Sequence, residues 1–236
     1  MSLLRSTIEF SNRILGRVKR SRKMAVPIVM NGNDDVRLNL GCGLAVTNGW
    51  LNIDGSLNAL VAAMPPSFHV WMYRLTGAKR YYSESEYCRL LRDHVFIHHD
   101  LANGIPLHDG VADYIYSSHF FEHLYRDDVK HLLNECYRVL KHGGVLRISI
   151  PDLEYAIDLY LSGNKDEMLQ NYFFVEDGES HYARHKYMYD FEMFSSLLRD
   201  AGFADVQRCQ FQEGAVPDID ALDNRPDESI FIEAKK

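Results

Sequence analysis

Val36-Arg37-Leu38-Asn39-Leu40-Gly41-Cys42-Gly43 is an apolar run that stops at a pair of glycines. It predicts a short buried strand and a turn in which glycine permits dihedrals denied to other residues and a close approach to a ligand. Only ten residues separate Gly43 from Asp54, which ends the next short strand, Trp50-Leu51-Asn52-Ile53. A carboxylate at that strand end can accept both ribose hydroxyls of an adenosine-containing ligand. A third strand, Val95 to His99, ends in Asp100-Leu101, an acid placed where it could accept an adenine amino group. Three strand ends thus converge on the edge where open α/β sheets bind ligands.

Working outward, Tyr114 to Ser118, Val145 to Ile150, Val206 to Phe211 and Ser229 to Ala234 also read as strands. Between them, Val129, Leu132, Leu133, Cys136 and Leu140 mark one face of a helix over about Asp127 to Leu140. Its expected stop is Lys141-His142-Gly143-Gly144, a basic last turn followed by glycine. Another helix is predicted over about Asp190 to Ala201, before Gly202. Strands alternating with helices predict an α/β, doubly wound, mostly parallel sheet. At 236 residues we expect a basic N-terminal helix and linker (1–35) followed by one domain (36–236), with insertions at about 57–93 and 151–190.

Composition narrows the function classes. No run approaches the ~20 apolar residues that span a bilayer. Cys42, Cys88, Cys136 and Cys209 lack C-x-x-C spacing and no secretory signal opens the chain, so a cytoplasmic setting is expected. Residues 1–23 hold seven Lys or Arg against the single acid Glu9, so a net charge of -7 leaves -13 on the remainder. So acidic a body would repel a phosphate backbone, and nucleic acid is not an expected partner. The basic segment reads as an interfacial helix touching the inner face of a membrane, a helix packed on the domain, or a transit peptide.

The motifs Leu38-Asn39-Leu40-Gly41-Cys42-Gly43, Asp100-Leu101, Ile105-Pro106 with Asp109-Gly110 and Asp113, Glu122-His123-Leu124, and Leu140-Lys141-His142-Gly143-Gly144 occur in that order over residues 36–152. With them the chain resembles the class I S-adenosylmethionine-dependent methyltransferases, in particular the small-molecule, type 11-like branch. The resemblance implies a Rossmann-like, seven-stranded sheet closed by an antiparallel C-terminal hairpin, with S-adenosylmethionine as cofactor. It implies that Gly41, Cys42 and Gly43 lie against the methionine part of the cofactor, that Asp54 holds the ribose, and that Asp100 and Leu101 hold the adenine. Ser117 to His119 would meet the sulfonium end and the acceptor pocket, and Asn39, Gly55 and Ser118 join the cofactor-binding set. One departure is that the family usually fits a full helix between the glycines and the ribose acid, and Ala45 stands where a third glycine is common. A shortened helix or plain loop is expected there.

A methyl on a sulfonium is already activated, so the protein must mainly align the acceptor and exclude water. An oxygen or nitrogen acceptor must also lose a proton, and imidazole suits that task near neutral pH. His119, just beyond the strand end, is the first candidate base; Glu122 and His123 follow it, and His181, Arg184, His185, Tyr187 and Tyr189 could approach from the second insertion. The expected catalytic set is His119, His123 and His185. Tyrosines and Trp71 among Arg and Lys in the insertions suit a small polar acceptor, with a saccharide or lipid-linked sugar of surface-polysaccharide synthesis the suggested class. The alternative is a non-catalytic protein of the same fold that binds the cofactor or a nucleotide as a partner subunit. His94, His98, His99 and His108 lack a metal-ligand spacing, and no metal is expected.

Overall fold

The computed structural model describes residues 35–75, 77–173 and 184–236. The basic segment 1–23, the linker up to residue 34, Phe174 and His181 lie outside the described residues. Seven strands, β1 (Arg37–Leu40), β2 (Leu51–Asp54), β3 (Val95–His98), β4 (Ala112–Ser118), β5 (Leu140–Pro151), β6 (Ala204–Cys209) and β7 (Ser229–Lys235), form one sheet in the order β3-β2-β1-β4-β5-β7-β6. The first five pair in parallel, whereas β7 runs antiparallel between β5 and β6. This is the doubly wound, Rossmann-like sheet that the strand pattern predicts. The two C-terminal strands are antiparallel as expected, but residues 210–228 rather than a tight turn join them.

The described helices are α1 (Leu57–Ala62), α2 (Pro66–Leu75), α3 (Glu84–Asp93), α4 (Arg126–Val139), α5 (Leu153–Leu161), α6 (Lys165–Met168), α7 (Phe191–Asp200) and α8 (Ile219–Leu222). Strand alternation assigns the two faces of the sheet. Leu38, Leu40, Leu51, Ile53, Ile115, Leu146, Ile148, Ile230 and Ile232 join the buried stripe of α4 and Phe194, Leu197 and Leu198 of α7 in the main core. On the opposite face, Phe96 packs with α1 to α3, and Trp50, Tyr116 and Val145 pack with Val216, Ile219 and Leu222. No helix among the described residues is long and apolar enough to cross a membrane.

The predicted stop of α4 is displaced. The helix ends at Val139, with Arg138 as the cation of its last turn, and Leu140 is already extended. Leu140 to Gly144 belong to β5, held by pairing of Leu140 with Ala112 and by reciprocal backbone bonds between Gly143, Gly144 and Lys236. Long-range strand pairing outweighs a local cap signal here. β6 likewise begins and ends two residues before the predicted range.

Several motif residues turn out to hold the scaffold. The Arg138 guanidinium donates to the Ile105 and Leu107 carbonyls, to Asp109 at 2.6 Å and to both oxygens of Glu135, clamping the segment between β3 and β4 onto α4. Asp113 accepts from the Val36 amide at 2.8 Å and from Lys141 Nζ at 2.6 Å, which ties the start of β1 to β4 and β5. Both clamps lie upstream of the strand ends where the site is built.

Candidate active site

Residues 41–50, between β1 and β2, contain no helix, so the plain loop is the form adopted. Its backbone is held by Asn39, whose side-chain amide donates to the Ala45 carbonyl at 2.9 Å and to Asn52 Oδ1 at 3.2 Å. Asn52 in turn donates to the Trp50 and Val95 carbonyls. Two buried amides on one face of β1 and β2 thus do the positioning that a following helix does in other sheets of this kind. Gly41 and Gly43 both have positive φ, 66° and 54°, as the turn requires.

The two glycines differ in what surrounds them. A Cβ on Gly41 would run into the ring of Phe120, whereas nothing lies within 4 Å of a Cβ on Gly43. The close approach at Gly41 is therefore made by a side chain of this chain, and the open side of the turn is at Gly43. Gly41→Ala should lower stability by about 2–3 kcal/mol, because the new methyl meets Phe120 and the left-handed φ disfavours it. Urea unfolding measures this; adding Phe120→Ala should recover the collision part and leave the dihedral part. Equal stability of Gly41→Ala and the native chain would contradict that packing.

Asp54, 7% exposed, stands against the turn. Its Oδ2 accepts from the Gly43 amide at 2.8 Å and its Oδ1 from the Ser56 amide at 2.6 Å. Each oxygen retains a second lone pair, so the carboxylate is oriented but still able to accept two hydroxyls. At the neighbouring strand end the His99 amide donates to the Asp54 carbonyl, and Gly55 lies against the backbone of His99 and Asp100. Asp100 Oδ1 accepts from the Ala102 amide at 3.1 Å, capping the turn of residues 101–103, while the Leu101 side chain is buried in the core. Burial, followed by the charge of Asp54, raises the pKa of the Cys42 thiol, so it stays protonated and inert.

β4 and β5 supply the other half of the edge. Ser117 is buried and its hydroxyl donates to the Leu40 carbonyl at 3.0 Å; Ser118 Oγ accepts from Asn224 at 3.2 Å. His119 has a positive φ of 48°, unusual for a residue with a side chain, and its amide donates to the Ser149 carbonyl at 2.9 Å. Its Nε2 lies 2.9 Å from Ser229 Oγ and its Nδ1 3.4 Å from Glu122 Oε1. Glu122 is 1% exposed, and its Oε1 faces the Nδ1 of His119. Burial pushes its pKa up, but the hydrogen-bonding and charge of His119 and the charge of His123 outweigh this and the net shift is downward. His123 Nε2 lies 3.8 Å from Glu122 Oε1, and the His123 and His185 rings meet edge to face at 5.1 Å. Burial lowers the pKa of His185, which keeps it neutral near pH 7.

All three candidate histidines therefore gather around one buried carboxylate. Ser229 and Asn224 could not be picked out from sequence, since they meet His119 and Ser118 across more than a hundred residues. Phe120 was likewise unflagged beside its motif neighbours.

A family model described as a methyltransferase domain matches residues 38–148. Among solved structures, a S-adenosylmethionine-dependent methyltransferase of Thermotoga maritima, described as a possible histamine N-methyltransferase, shares 17% identity over 100% of this chain and 94% of its own, with a TM-score of 0.50. A possible exported protein of Bordetella parapertussis shares 15% over 99% and 68%, also at 0.50. A S-adenosylmethionine-dependent methyltransferase of Archaeoglobus fulgidus shares 18% over 97% and 94%, at 0.48. No curated protein matches the chain. The glycine turn open at Gly43 and the oriented Asp54 carboxylate fit an adenosyl ligand, and the matching family model supports a class I S-adenosylmethionine-dependent methyltransferase with S-adenosylmethionine as its cofactor.

Proposed function

We propose that this chain methylates an oxygen or nitrogen of a small polar acceptor, of the saccharide or lipid-linked sugar class. The observation that carries the reading is the pairing of His119 with buried Glu122 at the end of β4, two strands across the sheet from Asp54. Asp54 holds the ribose hydroxyls, Gly41, Cys42 and Gly43 face the methionine end, and Asp100 and Leu101 hold the adenine. Asn39 acts through the loop that it anchors and Gly55 by admitting Asp100 closely. Ser117 and Ser118 stand at the β4 end of the same edge. The bound cofactor supplies a methyl group already activated on a sulfonium.

The chain's own work is then alignment and proton removal. His119 Nε2, at present on Ser229, is the nitrogen that takes the acceptor's proton, and Glu122 stabilises the resulting imidazolium from the Nδ1 side. Exposed rings support a sugar acceptor: Phe68 and Trp71 on α2, Tyr81 beyond it, and Tyr155 and Tyr160 on α5. Such rings stack on sugar faces. By contrast Tyr87 is buried with its hydroxyl on Asn58, and Tyr73 bonds the Tyr82 carbonyl, so these two serve packing.

Titration with S-adenosylhomocysteine and a methyl-donor assay over saccharide and other metabolite pools test the reading. Asp54→Asn should weaken S-adenosylhomocysteine binding about 10- to 100-fold, since hydrogen bonds to a charged acceptor are lost. Undiminished binding in that variant would remove Asp54 from the site. Tight binding by the native chain with no turnover on any pool favours the non-catalytic alternative.

A further inference from the structure

Beside His119, the structure brings Glu122 together with two histidines, His123 and His185, that the proposed methyl transfer does not use. One ligand atom each from Glu122, His123 and His185 lie within 4.8 Å of one another. The second ring nitrogen of each histidine is already committed. His123 Nδ1 is 3.2 Å from the Arg184 carbonyl and His185 Nδ1 is 2.9 Å from the Tyr172 carbonyl. A carbonyl oxygen only accepts, so both Nδ1 atoms carry hydrogens, which leaves each Nε2 as the nitrogen open to a cation.

A nitrogen of each ring lies within 4.8 Å of a carboxylate oxygen of Glu122, which is 1% exposed and whose Oε1 also faces His119 Nδ1 at 3.4 Å. Electron-rich atoms this close around a buried carboxylate repel one another unless a proton or a metal cation stands between them. An imidazole anchored through one nitrogen on a backbone carbonyl, with the other turned inward, is also how metal-bound histidines are held. We infer that Glu122, His123 and His185 form a binding site for a first-row divalent cation of the zinc class.

The donor set selects that class. Two imidazole nitrogens and one carboxylate oxygen suit zinc and its neighbours, whereas magnesium and calcium take oxygen ligands. Bonds of about 2.1 Å around a tetrahedral ion place ligand atoms about 3.4 Å apart, so small rotations of exposed-side His123 and of His185 close the set. Three protein ligands leave a fourth position open, as in catalytic zinc sites. A hydroxyl bound there loses its proton more readily. That last consequence rests on the proposed methyl transfer, while cation binding does not. The expectation of no metal weighed only His94, His98, His99 and His108, none of which belongs to this cluster.

The test uses the full-length, tag-free protein freed of metal with a chelator. Calorimetric titration with Zn²⁺ alone should show one equivalent bound, and the unfolding temperature should rise with Zn²⁺ concentration. His123→Asn and His185→Asn should each weaken binding at least about 100-fold, since even an outer partner of a metal ligand contributes 10- to 100-fold. Unfolding of each metal-free variant checks that it is folded; if either histidine variant is not, Glu122→Gln, which keeps the shape and removes the charge, must show the loss instead. No bound equivalent in the native protein, or undiminished binding in the folded variants, overturns the site. S-adenosylhomocysteine titrated into the same samples separates the two readings: its binding without Zn²⁺ binding sinks the cation site alone, and Zn²⁺ binding without it sinks the methyltransfer reading alone.

Discussion

His119→Asn should lower the turnover number for methyl transfer by about 100- to 10,000-fold near neutral pH, the range a positioned general base contributes. Asparagine is the informative replacement because the backbone at this position is left-handed, with φ at 48°. Asn tolerates that region far better than Ala, so loss of the base is not confounded with relief or creation of strain. Its amide can also keep a bond to Ser229, which preserves the contact between β4 and β7. S-adenosylhomocysteine affinity should therefore stay close to the native value while turnover falls. The residual rate of the variant should climb with pH, as more of the acceptor ionises without help. Single-turnover rates against pH for both proteins check this, and a variant as fast as the native chain would leave His119 no part in proton removal.

Much of the scaffold was legible because strands β1 to β5 are short apolar runs bounded by turn residues or a carboxylate. Each predicted run corresponds to an observed strand, and the order of strand ends placed Gly43, Asp54 and Asp100 along one edge before any coordinates. Failures occurred where a local signal met a distant partner. Leu140-Lys141-His142-Gly143-Gly144 carries the chemistry of a helix stop, yet Ala112 and Lys236 draw it into β5. The loop between Gly43 and Asp54 could be judged too short for a full helix, but nothing local showed that Asn39 and Asn52 would hold it.

The candidate site divides in the same way. His119, Glu122 and His123 are adjacent in sequence, so their grouping follows from one turn after β4. His185 joins them from 62 residues beyond His123, an approach revealed by its ring contact, by the Arg184 carbonyl on His123 Nδ1 and by the Lys186 and Tyr187 amides on the Glu122 carbonyl. Asp109 and Asp113 illustrate the opposite error to which motif reading is exposed. Both carboxylates sit in a recognisable motif, yet Asp109 pairs with Arg138 and Asp113 holds the Val36 amide and Lys141.

The largest stability effect belongs to a residue with no role in the chemistry. Arg147 is fully buried in β5 and its guanidinium makes five hydrogen bonds: to Asp223 at 3.0 and 2.6 Å, to Glu233 at 3.2 Å, and to the Gln210 and Glu213 carbonyls. A guanidinium has five N–H donors, so every one is satisfied. Removing it strands two buried carboxylates, and Arg147→Met should cost about 3–5 kcal/mol, the loss typical of breaking a buried ion pair from one side. For a chain of this size that lowers the unfolding temperature by about 6–20 °C. Arg147→Lys should be nearly as damaging, since an ammonium has three donors and cannot match the fork. Combining Arg147→Met with Asp223→Asn should cost less than the two singly summed, because the second change removes a charge the first left unpaired. The same network pins residues 210–223, and the chain runs on through Asn224 to Ser229, the partners of Ser118 and His119. Loosening it should therefore also weaken S-adenosylhomocysteine binding, although Arg147 lies on the sheet face away from the main core and no residue of the cofactor edge bonds to it directly. Thermal unfolding with and without S-adenosylhomocysteine measures both effects, and an Arg147→Met protein as stable as the native one would mean that the connection between β6 and β7 is held by its apolar contacts alone.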